Sequence, residues 1–326
     1  MVPELPDVAV YVTKIAERAV GQTLTGLRLA SPFFLRTFDP KPAELVGTEL
    51  LAVRRLQKRL VFQFESDVFA VIHLMIAGRF RWLEPDKKLP APKIPGKLGL
   101  CAFDFGAAGS LVVTEASTQK RASLHLVRGE AAVAAFDRGG IEVERATLTE
   151  FAAAVRSERH TMKRTLTDQT LLSGIGNAYS DEILLAAKLS PLQMSTSLTD
   201  AEMQRLHEST QHTLKIWQER LAQEPGFPER VTAFREEMAA HGRYGKPCPV
   251  CNTPIQRIVY ASNETNYCPT CQTGGKLLAD RSMSRLLGAD WPKNLEELEN
   301  ARPAAKLPAN PERSTKAPRK PKPLTT

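Results

Sequence analysis

The sequence predicts a multidomain α+β protein: an N-terminal helix joined to a β-sandwich, a helical domain, and a small cysteine-bearing ribbon near the C-terminus. Three observations predict it. Apolar residues recur at helical spacing over 5–20, and short β-rich runs then follow from about 23 to 128. From about 148 the pattern is helical again. Four of the five cysteines then fall between 248 and 271. A chain of 326 residues is long for one core and ample for two. The expected boundaries are 1–135 for helix and sandwich, 136–240 for the helical domain, 241–273 for the ribbon and 274–326 for an extension.

The first helix rests on Val8, Val12, Ile15 and Ala19, with Gly21 as its stop. Strands are expected at 60–64, 69–74, 99–105 and 110–114, separated by turn-forming stretches at 84–97 and 106–109. Several such strands in succession point to a sandwich or barrel. Helices are expected at 148–157, 166–172, 178–187 and 200–223. Thr199 and Glu202 have the spacing of a capping box at the start of the last one. One more helical piece is expected within 274–299. The last 26 residues hold six prolines and almost no large apolar group, so they are expected to be disordered.

The net charge of +8 suggests a polyanionic partner, but it is unevenly placed. Residues 301–326 hold seven cations and one acid, Glu312, so most of the excess belongs to the tail. The tail reads as a flexible arm that raises non-specific DNA affinity, or as an uninvolved solubilising extension. For the folded body, local clusters must carry any argument for nucleic-acid binding. No stretch approaches the roughly 20 apolar residues of a membrane span, and the N-terminus does not read as a secretory signal. The expected location is the cytoplasm, at the nucleoid if DNA is the partner.

Cys248-x2-Cys251, sixteen residues, then Cys268-x2-Cys271 is the strongest local signal. Each pair can present two thiolates to one tetrahedral zinc, and the interval suffices for a hairpin with strands at 255–261 and 265–267. Disulfides are the alternative, which a reducing compartment disfavours. A four-thiolate site is closed, so the zinc is structural. Cys101 reads as a small core residue.

The second signal is Gly174-Ile-Gly176-Asn177, between two helical segments. Its glycines permit a close backbone approach, and free amides at the following helix start would suit a phosphate, with Asn177 adding a donor. A tight turn with glycines only for packing is the other reading.

These residues carry a resemblance. Gly174-Ile-Gly-Asn177-Ala-Tyr179, preceded by Lys163, Asp168 and Gln169, resembles the helix–two-turn–helix element of the formamidopyrimidine-DNA glycosylase / endonuclease VIII family. Pro3-Glu4-Leu5-Pro6-Asp7-Val8 is similar to that family's N-terminal signature, and Tyr244-Gly245-Lys246-x-Cys248 to its approach to the ribbon. Arg55-x-x-Lys58-Arg59-Leu60 and His73-Leu-Met-Ile-Ala-Gly78 resemble two of its strand motifs. The resemblance spans roughly residues 3–272. It implies a DNA glycosylase with AP lyase activity, acting as a monomer on double-stranded DNA that carries damaged bases or abasic sites. It also implies roles. Pro3 would attack the sugar C1′ of a flipped-out nucleotide and form a Schiff base, and Glu4 would be the general acid/base. Lys58, Lys163 and Asn177 would bind phosphates.

Three departures qualify this. A proline nitrogen attacks only as the chain terminus, yet Met1 and Val2 precede Pro3; we expect Val2 to be the true start codon, with processing that exposes Pro3. Asn263 stands where the family's hairpin carries a phosphate-clamping Arg, and Arg257 on the same hairpin is the candidate substitute. The residues that would fill the hole left by the flipped base also differ: Met75 or Ile76 stands at one position, and 118–122 contain no Phe at the other. Two alternatives therefore stay open: a catalytically impaired damaged-DNA-binding protein, and a zinc-ribbon nucleic-acid module without lesion chemistry.

Overall fold

The computed structural model describes residues 2–85, 91–228, 235–260, 263–279, 288 and 291–301. Helix α1 (Leu5–Ala19) leads into eight strands: β1 (Gly26–Leu29), β2 (Leu50–Leu56), β3 (Arg59–Phe64), β4 (Val68–His73), β5 (Gly78–Leu83), β6 (Gly99–Asp104), β7 (Ser110–Glu115) and β8 (Ser123–Arg128). They form two antiparallel four-stranded sheets, ordered β1-β6-β7-β5 and β2-β3-β4-β8. The sheets bury Phe62, Phe80 and Phe103 in one core, with Phe62 and Phe103 ring centroids 5.5 Å apart. Cys101 lies in the same core. The predicted sandwich is therefore present. β3 and β4 read as nearly continuous apolar runs because both of their faces are covered. Val61, Phe69 and Val71 pack beneath Val133 of α2 (Gly129–Ala134) on the outer face.

The helical part comprises α3 (Leu148–Arg156), α4 (Met162–Thr167), α5 (Asn177–Ala186) and α6 (Asp200–Gln223). The capping box expected at Thr199 is made: Thr199 Oγ1 accepts from the Glu202 amide at 3.3 Å, and the Glu202 carboxylate accepts from the Thr199 amide at 2.9 Å. The helix expected over 166–172 instead runs from Met162 and stops at Thr167. Asp168 ends it, because its carboxylate takes the Thr170 amide at 2.9 Å and turns the chain. The ribbon is a hairpin of β9 (Gln256–Tyr260) and β10 (Asn263–Tyr267), followed by a short α7 (Pro269–Thr273). The helical piece expected in the extension is α8 (Leu295–Ala301). The tail from 302 onward lies outside the described residues. No helix among the described residues is long and apolar enough to cross a membrane.

Helix α1 joins the two cores. Val8, Tyr11 and Ile15 enter the sandwich core, while Leu5 enters the helical core beside Ile175 and Tyr179. A buried ion pair reinforces the junction: Arg235 Nη2 donates to Asp7 Oδ1 at 2.6 Å and Arg235 Nη1 to the Tyr179 hydroxyl at 2.9 Å. The side chains of Arg235 and Asp7 are 2% and 3% exposed. Arg235→Met removes the guanidinium from the buried Asp7 carboxylate and from the Tyr179 hydroxyl. It should cost about 3–5 kcal/mol in urea denaturation. A cost below about 1 kcal/mol would show that the pair does not hold the junction.

Candidate active site and nucleic-acid interface

The site is built from the start of α1 and the start of α5. Pro6 occupies the first turn of α1, where its fixed φ suits the helix. Asp7 Oδ2 accepts from the Glu4 amide at 3.1 Å, and Leu5 donates its amide to the Gly174 carbonyl at 3.0 Å. The Glu4 side chain crosses to α5, where its carboxylate accepts from the amides of Gly176 (2.6 Å), Ala178 (2.8 Å) and Tyr179 (3.2 Å). Both glycines are required here. A Cβ on Gly176 would lie 2.5 Å from the Glu4 carboxyl carbon, and one on Gly174, at φ +86°, would lie 2.7 Å from Leu5 Cβ. The sequence assigns these free amides to a phosphate; the structure gives them to Glu4 instead.

Burial raises the Glu4 pKa above the usual carboxylate value, with the Lys58 charge and the α5 amides partly offsetting it. Lys58 sits in the β2–β3 turn, where burial lowers its pKa and Glu4 opposes the shift. Pro3 is buried beside Glu4 and Val2 is half-buried. The structure thus brings Pro3, Glu4 and Lys58 together. Gln57, which the sequence reading missed, links them to the turn: its Nε2 donates to the Gln169 carbonyl at 3.2 Å, and Gln169 in turn accepts from the Gly174 amide at 2.9 Å.

Lys163 and Asn177 lie together but are engaged within the protein. Lys163 Nζ donates to the Asn177 carbonyl at 2.7 Å and pairs with Asp181 at 2.5 Å. Asn177 Nδ2 donates to the Glu264 carbonyl of β10 at 2.9 Å. Sequence reasoning also passed over Asp181 and Glu182. Glu182 accepts from the amides of Ala239, Ala240 and His241, each at 2.8 Å, and Asp181 meets His241 Nδ1 at 2.6 Å. Two adjacent acids in an otherwise apolar helix were the available signal; together they fasten the approach to the ribbon onto α5.

On the hairpin, Arg257 pairs with Glu264 at 3.4 Å and lies 4.4 Å over the Tyr244 ring. Arg257 registers with Asn266, three residues from Asn263, so strand alternation puts Arg257 and Asn263 on opposite faces. Asn263 is exposed at the hairpin tip. Met75 and Ile76 lie in the β4–β5 turn; Met75 has φ +50° and Ile76 is exposed. They are not strand core. The β7–β8 turn is held by buried Glu115, which accepts from the amides of Arg121 (3.1 Å) and Ala122 (3.0 Å).

The ligand atoms of Cys248, Cys251, Cys268 and Cys271 all lie within 4.8 Å of one another, with Cys251 Sγ 3.4 Å from both Cys268 Sγ and Cys271 Sγ. Thiolates on a tetrahedral zinc at about 2.3 Å stand about 3.8 Å apart, so the cluster fits that ion. None of the four is in a disulfide. They hold one structural zinc.

Three family models match in order: the formamidopyrimidine-DNA glycosylase N-terminal domain over residues 2–134, its H2TH domain over 141–220, and a zinc finger found in these glycosylases and in IleRS over 245–274. A formamidopyrimidine-DNA glycosylase from Thermus thermophilus is 30% identical over 282 residues, covering 84% of this chain and 99% of the relative. The chain belongs to the formamidopyrimidine-DNA glycosylase family. A Mycobacterium tuberculosis protein described as formamidopyrimidine-DNA glycosylase-like is 44% identical over 126 residues, 39% of this chain and 79% of that one. The Lactococcus lactis family enzyme in complex with abasic-site DNA superposes with a TM-score of 0.73 at 26% identity, covering 83% of this chain and 99% of that one.

The Glu4 environment has a measurable signature. Because its folded pKa is raised above the usual 4.5, stability is greatest below that value and is lost as pH rises through the raised pKa. Glu4→Gln should flatten the pH dependence of unfolding in that window. A parallel profile for the variant would show that Glu4 is not the group responsible.

Proposed function

We propose that this base-excision-repair DNA glycosylase removes its damaged base through the free amine of Pro3, with Glu4 as general acid/base and Lys58 on the phosphate beside the lesion. The observation that supports this reading is the Glu4 carboxylate, fixed by three amides of α5 next to Pro3. A buried carboxyl with a raised pKa can deliver a proton to the sugar ring oxygen as the amine attacks C1′. The C1′–base bond breaks and the base departs. The amine nitrogen gives up its proton to the departing base, its lone pair then breaks the C1′–O4′ bond of the protonated ring to form the Schiff base, and elimination of the flanking phosphates cuts the strand. An N-terminal amine, with an ordinary pKa near 8, keeps a useful neutral fraction at pH 7. Lysine 58, partly desolvated, is a compact charge suited to one phosphate. Acting on chromosomal DNA puts the enzyme in the cytoplasm at the nucleoid, as a monomer.

The chemistry requires a mature chain that begins at Pro3. Intact mass of the native product should show that terminus, and borohydride should trap the protein covalently on abasic-site DNA. Glu4→Gln should lower base excision by at least about 100-fold, within the usual range for a general acid/base. Absence of trapping by a chain that begins at Pro3 would remove the lyase step and favour a protein that binds damage without processing it.

We propose that Arg257, although on the opposite hairpin face from Asn263, supplies a phosphate contact from its own face beside Glu264. Arg257→Ala should weaken DNA binding and lower the slope of log affinity against log salt by about one. An unchanged slope would leave Arg257 as a strand residue paired with Glu264.

A further inference from the structure

A small pocket lies outside the Pro3–Glu4 site, on the other sheet. Its volume is about 150 Å³, and it is lined by Ala77, Arg79, Arg81, Leu98, Thr114 and Ala116, with Pro95. Ala77 closes the β4–β5 turn that carries Met75 and Ile76, and Ala116 opens the β7–β8 turn. The pocket therefore sits directly behind the two turns that stand where the family fills the hole left by a flipped base.

Arg79 is its unusual member. It follows Gly78 at the start of β5 and is only 8% exposed. Its Nη1 donates to the Gly78 carbonyl at 2.6 Å, but its buried Nη2 has no hydrogen-bond partner. Leaving a donor of a buried guanidinium unmade is expensive, so such a group ordinarily meets an acceptor in its working state. Among the described residues no carboxylate lines the pocket. The lining has no aromatic ring on which a base could stack. A small cavity with the unsatisfied Arg79 guanidinium and the Thr114 hydroxyl suits a tetrahedral anion.

We propose that Arg79 and its pocket bind a backbone phosphate of the DNA strand opposite the lesion. This rests on the glycosylase reading above. The β2-β3-β4-β8 sheet carries Lys58, which serves the lesion strand, whereas Arg79 stands on the β1-β6-β7-β5 sheet, across the β4–β5 turn. A wedge entering the duplex from that turn would have the lesion strand on the Lys58 side and the complementary strand on the Arg79 side. A phosphate contact of this kind positions the duplex and carries no base preference.

The test uses full-length protein and a duplex bearing a tetrahydrofuran abasic analogue, with each of the four bases opposite it. Arg79→Gln should weaken binding about tenfold at low salt, equally for all four bases, and lower the salt slope by about one; Arg79→Lys should restore the slope. In wild-type protein, neutral methylphosphonates placed singly along the complementary strand should reveal one position that costs about tenfold, and Arg79→Gln should show no further loss there. An unchanged slope, a loss confined to one opposing base, or no sensitive position in that strand overturns the proposal. The methylphosphonate scan needs no variant, so it decides the matter even if Arg79→Gln fails to fold. Wild-type protein that binds the abasic duplex while these arms fail overturns this inference alone. Wild-type protein that neither binds nor is trapped overturns the glycosylase reading beneath it.

Discussion

The contact on which the rest depends is the Glu4 carboxylate on the amides of Gly176, Ala178 and Tyr179. Chain termini fray unless something holds them. A mechanism that runs on a terminal amine needs that terminus held to within a fraction of an ångström. The amides at a helix start lack intrahelical partners and carry the positive end of the helix dipole, so they are natural partners for a carboxylate. One side chain therefore satisfies the start of α5, fixes the start of the chain, and presents an acid beside Pro3.

The surrounding structure keeps that contact in register. α1 cannot shift along its axis without withdrawing Leu5 from the helical core or Tyr11 from the sandwich core. Asp7 holds the Glu4 amide on one side and Arg235 on the other. Gln169 braces the glycine turn by accepting from Gly174 and donating to the Ile175 carbonyl at 2.7 Å. Gln57 has φ +55°, an uncommon conformation for a side chain, and its two hydrogen bonds, to Asp137 and Gln169, tie the Lys58 turn to the same frame. Arg55 bridges β2 to Glu142 and Glu144 ahead of α3. Glu4, Lys58 and the glycine turn are thus braced in one frame.

This also explains which parts were legible in the sequence. Four cysteines at fixed spacing announce a ribbon because metal geometry is local, and periodicity announces α1 and α6 because one face of each is buried. The glycine turn was legible as a place where backbone approaches something closely, but its guest was not. Whether three free amides meet a phosphate or a carboxylate is settled by Glu4, more than 170 residues away in the chain. The Asp168 turn was misread as helix because Leu166 and Leu172 are both buried, and burial alone does not distinguish a helix face from a tight turn whose ends tuck inward. Arg79 was invisible for a related reason: an arginine in a strand reads as solvated until the neighbouring strand and the 95–98 segment are placed beside it.

The distribution of charge follows from the same packing. Binding a polyanion calls for displayed cations, yet many here are consumed internally: Arg28 by Asp104, Arg55 by Glu142 and Glu144, Lys163 by Asp181, and Arg235 by Asp7. These pairs hold the frame and leave little net charge on the folded body. Sequence-wide charge is therefore a poor guide to where such a protein meets DNA. Among the described residues, Lys58 and Arg79 differ from these arginines: Lys58 is partly desolvated with Glu4 as its opposing charge, and Arg79 keeps a buried Nη2 without a hydrogen-bond partner. A cation kept in that condition has the most to gain from an incoming phosphate. That makes desolvated, incompletely satisfied cations suited to gripping the duplex in register with the Glu4 site.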